Sequence, residues 1–216
     1  MSPAADLATI ARRQAAGINE IDPWGMDRDL VGVARSLARL RWRITVGGAE
    51  NVPSTGGALL VANRRPLGAT PLLVAAAIGR ATERNVRFAG IVDIAPIGPI
   101  LRRLGGVVAR PDEIGGLLRA GHVPAVWCQP RITTSHRVGP APVPYLAAAL
   151  DAGVPVLPVA VIAPPLARRV RVDVGPPLRV PRRPGPLAAA ELADSIRQAI
   201  QRMVDEASPP SWLLPG

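Results

Sequence analysis

The chain has 216 residues, 26 arginines and no lysine against 16 Asp and Glu, which gives a formal charge of +10. A hydrophobic fraction of 48% at this length fits one domain with a packed core and excludes intrinsic disorder for most of the chain, since disorder pairs low hydrophobicity with high charge. The 21 glycines and 25 prolines follow no period, so collagen-like and repeat architectures are excluded as well.

An all-arginine surface attracts phosphates, carboxylates and anionic lipid headgroups, because the planar guanidinium donates two parallel hydrogen bonds. Nucleic acid fits poorly, since aromatics make up only 3% and offer few stacking platforms. The single cysteine, Cys128, has no internal disulfide partner. Residues 1–20 carry Asp6, Arg12 and Arg13 in place of the apolar run of a signal peptide. The longest uncharged runs, 66–79 and 152–167, fall short of the ~18 residues that span a bilayer. A cytoplasmic protein without a transmembrane helix is expected, peripheral at most on the inner face of the membrane. The weakly amphipathic stretch 7–18 and the tail with Trp212, Leu213 and Leu214 either touch lipid or pack on the domain.

In chain order, a helix is predicted over 27–41, with Leu30, Val33, Leu37 and Leu40 at helical spacing and Arg35 and Arg39 on another face. A short strand over 43–46 and a loop over 47–57 lead to a buried strand over 58–62. Then come a helix over 71–80, a strand over 86–92, a short helix over 97–104 and a short strand over 107–109. A helix over 112–120 precedes a buried strand over 123–128. A helix over 144–152, strands over 154–161 and 170–174, and a final helix over about 187–206 complete the order. Apolar strands without polar alternation, separated by single helices, indicate a mostly parallel sheet covered on both faces. Ligands of such sheets sit beyond the C-terminal strand ends. Here those are 63–70, Arg110 and 129–137, and each contains arginine.

Several segments carry a family resemblance. GAENVPSTGGALLVAN at 48–63 is similar to the lead-in of the glycerophospholipid (lysophosphatidic acid) acyltransferases, a Gly-x-Glu-Asn-x-Pro loop followed by a strand ending in Asn-His. LGGVVAR at 104–110 resembles the second block of that family, VPVLPV at 154–159 the fourth, and RVRVDVGP at 169–176 its late strand. DPWGMD at 22–27 resembles the lead-in of some bacterial members. The resemblance covers about residues 22–206. It implies a single-domain α/β glycerol-phosphate-acyltransferase-like fold over 27–206, with an N-terminal segment, 1–26, and a tail, 207–216.

The chain departs from the family where the chemistry lies. Family catalysis rests on Asn-His-x-x-x-x-Asp, in which His deprotonates the acceptor hydroxyl and Asp orients it. Here the sequence reads Asn63, Arg64, Arg65, Pro66, Leu67, Gly68, Ala69. Arginine keeps its proton at neutral pH, and alanine offers no carboxylate. The third block, Phe-Pro-Glu-Gly-Thr-Arg, becomes Trp127, Cys128, Gln129, Pro130, Arg131, Ile132, and proline's locked φ cannot copy a glycine turn.

No catalytic dyad is therefore assigned. The expected ligand-binding residues are Arg64, Arg65, Arg110, Gln129, Arg131 and His136. Arg64 and Arg65 either clamp an anion or stand exposed at a turn, and Arg110 either meets substrate phosphate or pairs with Asp112 or Glu113. His122 precedes its strand, away from the crevice, and Cys128 reads as a small core residue. No metal or cofactor is implied. The resemblance implies a pseudoenzyme that binds an anionic lipid or acyl ligand, or regulates a partner. One alternative is an active acyltransferase moving an acyl group from acyl-CoA or acyl carrier protein to an amine, thiol or lysophospholipid. Another is a structural subunit of a homologous acyltransferase.

Overall fold

The computed structural model describes residues 21–64, 70–91, 94–95, 97–129, 137–162, 168–179 and 184–207. Helix α1 (Arg28–Arg41) leads into β1 (Arg43–Gly47), a 3₁₀ turn (Ala49–Asn51) and β2 (Leu59–Ala62). Then come α2 (Thr70–Ala81), β3 (Val86–Ala89), α3 (Ile97–Arg103), β4 (Gly106–Val107), α4 (Pro111–Arg119) and β5 (Val123–Trp127). The chain ends in α5 (Val143–Asp151), β6 (Val156–Ile162), β7 (Arg169–Val174) and α6 (Pro186–Ala207). The predicted elements are all present, with boundaries moved by up to three residues, most at β3, which ends at Ala89 and not at 92.

The strands form one seven-stranded sheet in the order β1-β7-β6-β2-β5-β3-β4. Every pairing is parallel except β6–β7, so β1 and β7 run against the rest. β2, β5 and β6 alternate between two apolar layers, which is why they lack polar alternation. Leu60, Ala125 and Leu157 point to the layer beneath α2, with Val74 and Ile78. Leu59, Val126 and Val156 point to the layer beneath α4, α5 and α6, with Ile114, Leu117, Leu146, Leu192 and Ile196. Each such side chain contributes roughly 1.5–3 kcal/mol on burial.

Two of the motif segments turn out to hold the sheet together. In DPWGMD, one Asp22 oxygen accepts from the backbone N–H of Trp24 (2.9 Å) and Met26 (3.0 Å), closing a turn at Gly25 (φ 83°). The other Asp22 oxygen pairs with the guanidinium of Arg87, which is wholly buried in β3. Asp27 then caps α1, its side chain accepting from Leu30 N–H at 3.0 Å. In the 48–51 loop, Gly48 is left-handed (φ 67°), and a Cβ there would strike the Val174 carbonyl. Asn51 Nδ2 donates to that same carbonyl at 2.9 Å, so this loop ties β1 to the end of β7.

One helical face is corrected. On α1, Val33 is buried as the spacing predicts, but Leu40 (69% exposed) faces solvent, Leu37 (47%) lines an open groove, and Arg35 turns inward. Arg35 donates to the Arg84 carbonyl and to Asn85 Oδ1, both at 3.3 Å, with its Nε buried and unbonded. The helix is buried through Val31 and Val33.

Candidate functional site

The C-terminal ends of β2 and β5 lie side by side. Ala62 is in register with Trp127, and Cys128 N–H donates to the Ala62 carbonyl at 2.9 Å. Just beyond these ends stand Asn63 and Arg64 on one strand and Cys128 and Gln129 on the other. β6 is in register with β2 at Val159–Ala62 but continues to Ile162, and β7 pairs with that extension. The edge is therefore higher on the β6–β7 side, and the ends of β2 and β5 sit at the foot of that step.

Asn63 is buried at 7% exposure. Its Nδ2 donates to the Val161 carbonyl at 3.1 Å, and its Oδ1 accepts from Val161 N–H at 2.7 Å. A side-chain amide thus carries the β2–β6 ladder beyond the strand, satisfying two buried backbone groups. It also fixes the direction in which the chain leaves β2. Arg64, next in line, is exposed. Gln129 is exposed too, with its N–H donating to the Pro140 carbonyl at 2.9 Å, which closes the loop after β5.

Arg110 occupies the N-cap position of α4, just past β4 at the same edge, and is exposed. Its side chain makes no capping bond, and among the described residues it forms no ion pair with Asp112 or Glu113. The guanidinium thus keeps its donors turned to solvent. β2 and β4 are separated by β5 and β3, or roughly 14 Å at the usual ~4.8 Å strand spacing. Tyr145 Oη donates to the Ala109 carbonyl at 2.9 Å and steadies the stretch that presents Arg110. Arg65, Ala69, Arg131 and His136 lie outside the described residues.

His122 lies at the opposite edge. Its carbonyl accepts from Ala58 N–H at 3.3 Å before β2 begins, and its ring meets Trp24 edge-on at 6.3 Å. Burial foremost, then the neighbouring Arg87 charge, push its pKa below the ordinary value. Cys128 is 1% exposed, and burial pushes its thiol up to about 12. It is a core residue and not a nucleophile at neutral pH.

A groove lies on the α2 side of the sheet, between α1, α2 and β1. Its first part, about 270 Å³, is lined by Val31, Ala38, Trp42, Leu73, Val86 and Leu104. Its second, about 550 Å³, is lined among others by Ile44, Val46, Ala77 and Glu83. Arg35 and Ala76 border both. Leu73 in the first turn of α2 and Trp42 before β1 lie toward the edge that bears Arg64, whereas Val86 opens β3 and Leu104 precedes β4 at the opposite edge; neither Arg64 nor Arg110 lines either part. Sequence reading missed this groove, because it is lined by residues from elements distant in the chain.

No model of a known protein family matches the chain. Over 134 residues it is 31% identical to an uncharacterized protein of Mycobacterium leprae and 30% identical to one of Mycobacterium tuberculosis. Each match takes in 57% of this chain and 36% or 37% of the relative, so the chain spans little more than a third of those proteins' length. The crystal structure of the 1-acyl-sn-glycerophosphate (LPA) acyltransferase PlsC from Thermotoga maritima superposes with a TM-score of 0.62. That superposition is at 20% identity and covers 85% of this chain and 83% of the other. The likeness is one of fold: this protein is built on the single-domain, mostly parallel α/β sheet of an LPA acyltransferase.

Proposed function

We propose that the protein binds an acylated, anionic ligand at the Arg64 edge without transferring its acyl group. The observation that carries this reading is the strand end itself. Asn63 staples β2 to β6, and the residue presented next is Arg64, where the resembling family has its proton-accepting histidine. A guanidinium binds a phosphate or a thioester oxyanion but accepts no proton from a hydroxyl. The described imidazole, His122, stands at the far edge of the sheet and gives no relief. Arg110, with its donors turned to solvent at the same edge, suits the anionic end of the ligand, and the apolar groove suits its chain.

Calorimetric titration with lysophosphatidic acid and with a long-chain acyl-CoA tests this. Binding of at least one is expected, weakened about tenfold or more by Arg64→Ala, as for loss of a charge-assisted bond. Thiol release from acyl-CoA in the presence of lysophosphatidic acid should stay at the uncatalysed rate. Turnover with an amine acceptor that Arg64→Ala abolishes would replace this reading with that of an oxyanion-stabilising acyltransferase.

A further inference from the structure

We propose that two copies of the chain pair through the free flanks of their β1 strands, antiparallel about Thr45, into a twofold dimer with one continuous sheet. This goes beyond the ligand reading above. β7 and β6 separate β1 from β2, so dimerisation and ligand binding beside Arg64 can fail independently.

The first observation is a backbone left open. β1 ends the strand order, and among the described residues no strand pairs with its outer flank. Arg43 N–H donates to the Arg168 carbonyl at 2.6 Å, which turns the backbone groups of Arg43, Thr45 and Gly47 towards β7. By alternation, Ile44 and Val46 turn theirs outward, with no ladder partner among the described residues. A row of open N–H and carbonyl groups is a template for another strand. The strand at the opposite end of the sheet, β4, has only two residues, so a β1–β1 seam closes on a dimer and does not grow into a filament.

The second observation is that β1, RITVG, complements itself when reversed. Centred on Thr45, the seam sets Ile44 and Val46 against Val46 and Ile44 of the second copy, as hydrogen-bonded pairs that use the outward backbone groups. These side chains, partly buried against the α2-side core, then meet as β-branched pairs. Thr45, exposed on the other face, meets Thr45 at a closer, non-hydrogen-bonded position, where such pairs are favourable.

Charge selects the same register. Arg43 and Arg169 are in-register neighbours, both exposed, and neither has a carboxylate partner among the described residues. Strands about 4.8 Å apart start these two stems side by side with like charge. Across the seam, Arg43 lies opposite Gly47 of the second copy, and Gly47 is in register with Asp173. Asp173 leans over that glycine: a Cβ at Gly47 would come within 2.5 Å of its Oδ1. The bare Gly47 thus gives Arg43 a path to the Asp173 carboxylate of the second copy, one strand further in. That carboxylate already holds Arg171, Nε to Oδ2 at 2.7 Å, and has lone pairs for a second guanidinium. An acidic peptide would answer Arg43 but not the Thr45 and Ile44–Val46 matches, so a second copy is the better fit.

Sedimentation equilibrium of the full chain over a concentration series tests the proposal. A five-residue seam is small, so monomer and dimer should exchange with a dissociation constant of about 10–100 μM. Arg43→Glu and Asp173→Arg each place like charges opposite one another twice, and each alone should weaken the dimer about tenfold or more. Mixed in equal amounts, the two variants should form a heterodimer close to wild type in strength, since each supplies the charge that the other needs. Val46→Pro removes only an N–H that faces the seam, so the folded variant should be a monomer. The proposal is overturned if the wild type stays monomeric well above that range, or if Val46→Pro or the single charge variants dimerise as the wild type does. It is overturned too if mixing the charge variants restores no dimer.

Discussion

Arginine does several kinds of work here, and exposure separates them. Arg84 donates to the carbonyls of Pro53, Gly56 and Gly121 at 2.6–2.7 Å and pins the loop before β2, while Arg64 and Arg110 face solvent. Arg87 is the most confined: its side chain is 0% exposed, Asp22 is its partner, and Nε and Nη1 have none among the described residues. Burial lowers its pKa, and the Asp22 charge opposes that shift. Asp22→Asn would strand the charge, so the urea midpoint should fall by an amount equivalent to about 3–5 kcal/mol. An unchanged midpoint would mean that the pair does not hold the N-terminal turn. The Cys128 thiol, pushed up to about 12, should resist iodoacetamide in native protein and react after unfolding; fast native labelling would contradict the core assignment. His122 gives a pH prediction. Its folded pKa is lowered, so below the ordinary imidazole value of about 6.5 the unfolded chain takes up a proton that the folded chain resists. Stability should therefore decline from about pH 7 towards the lowered pKa. His122→Gln should flatten that decline relative to wild type, and identical slopes in urea titrations would refute it.

At the level of elements, the strand ends decide what the protein presents. Asn63 joins β2 to β6 through both atoms of its amide, and Asn63→Ala would leave the Val161 N–H and carbonyl buried without partners. A loss of about 1–3 kcal/mol is expected in equilibrium unfolding. Arg64→Ala, exposed one residue later, should leave the melting temperature close to wild type. Equal losses from the two substitutions would contradict the division between a structural and a presenting residue. The elements were legible because doubly covered strands leave continuous apolar runs, as at 58–62 and 123–128, and helices leave a 3.6-residue rhythm. The α1 face was legible only in part from that rhythm. Val33 keeps the spacing and is buried, yet Leu40 faces solvent and Leu37 lines an open groove, while Arg35 is drawn inward to the Arg84 carbonyl and the Asn85 amide oxygen in the turn between α2 and β3. The same holds for Gly48 and Asn51: their spacing was visible, but their target, the Val174 carbonyl, is distant in sequence. The candidate site was legible as a set of strand ends. The step in the edge and the groove were not, since both arise from register between strands far apart in the chain.

Across the whole molecule, two opposing edges of one sheet carry different tasks. The edge with His122, Trp24 and the Arg87–Asp22 pair closes the core. The edge with Arg64 and Arg110 leaves positive charge facing outward. The central claim is that this edge grips acyl ligands with a guanidinium where a base would be needed to transfer them. Radiolabelled acyl transfer from acyl-CoA to lysophosphatidic acid, followed to phosphatidic acid by thin-layer chromatography, tests it most directly. The account predicts no product above the protein-free control in samples whose calorimetry shows ligand bound; phosphatidic acid formed in many turnovers per protein molecule would contradict it.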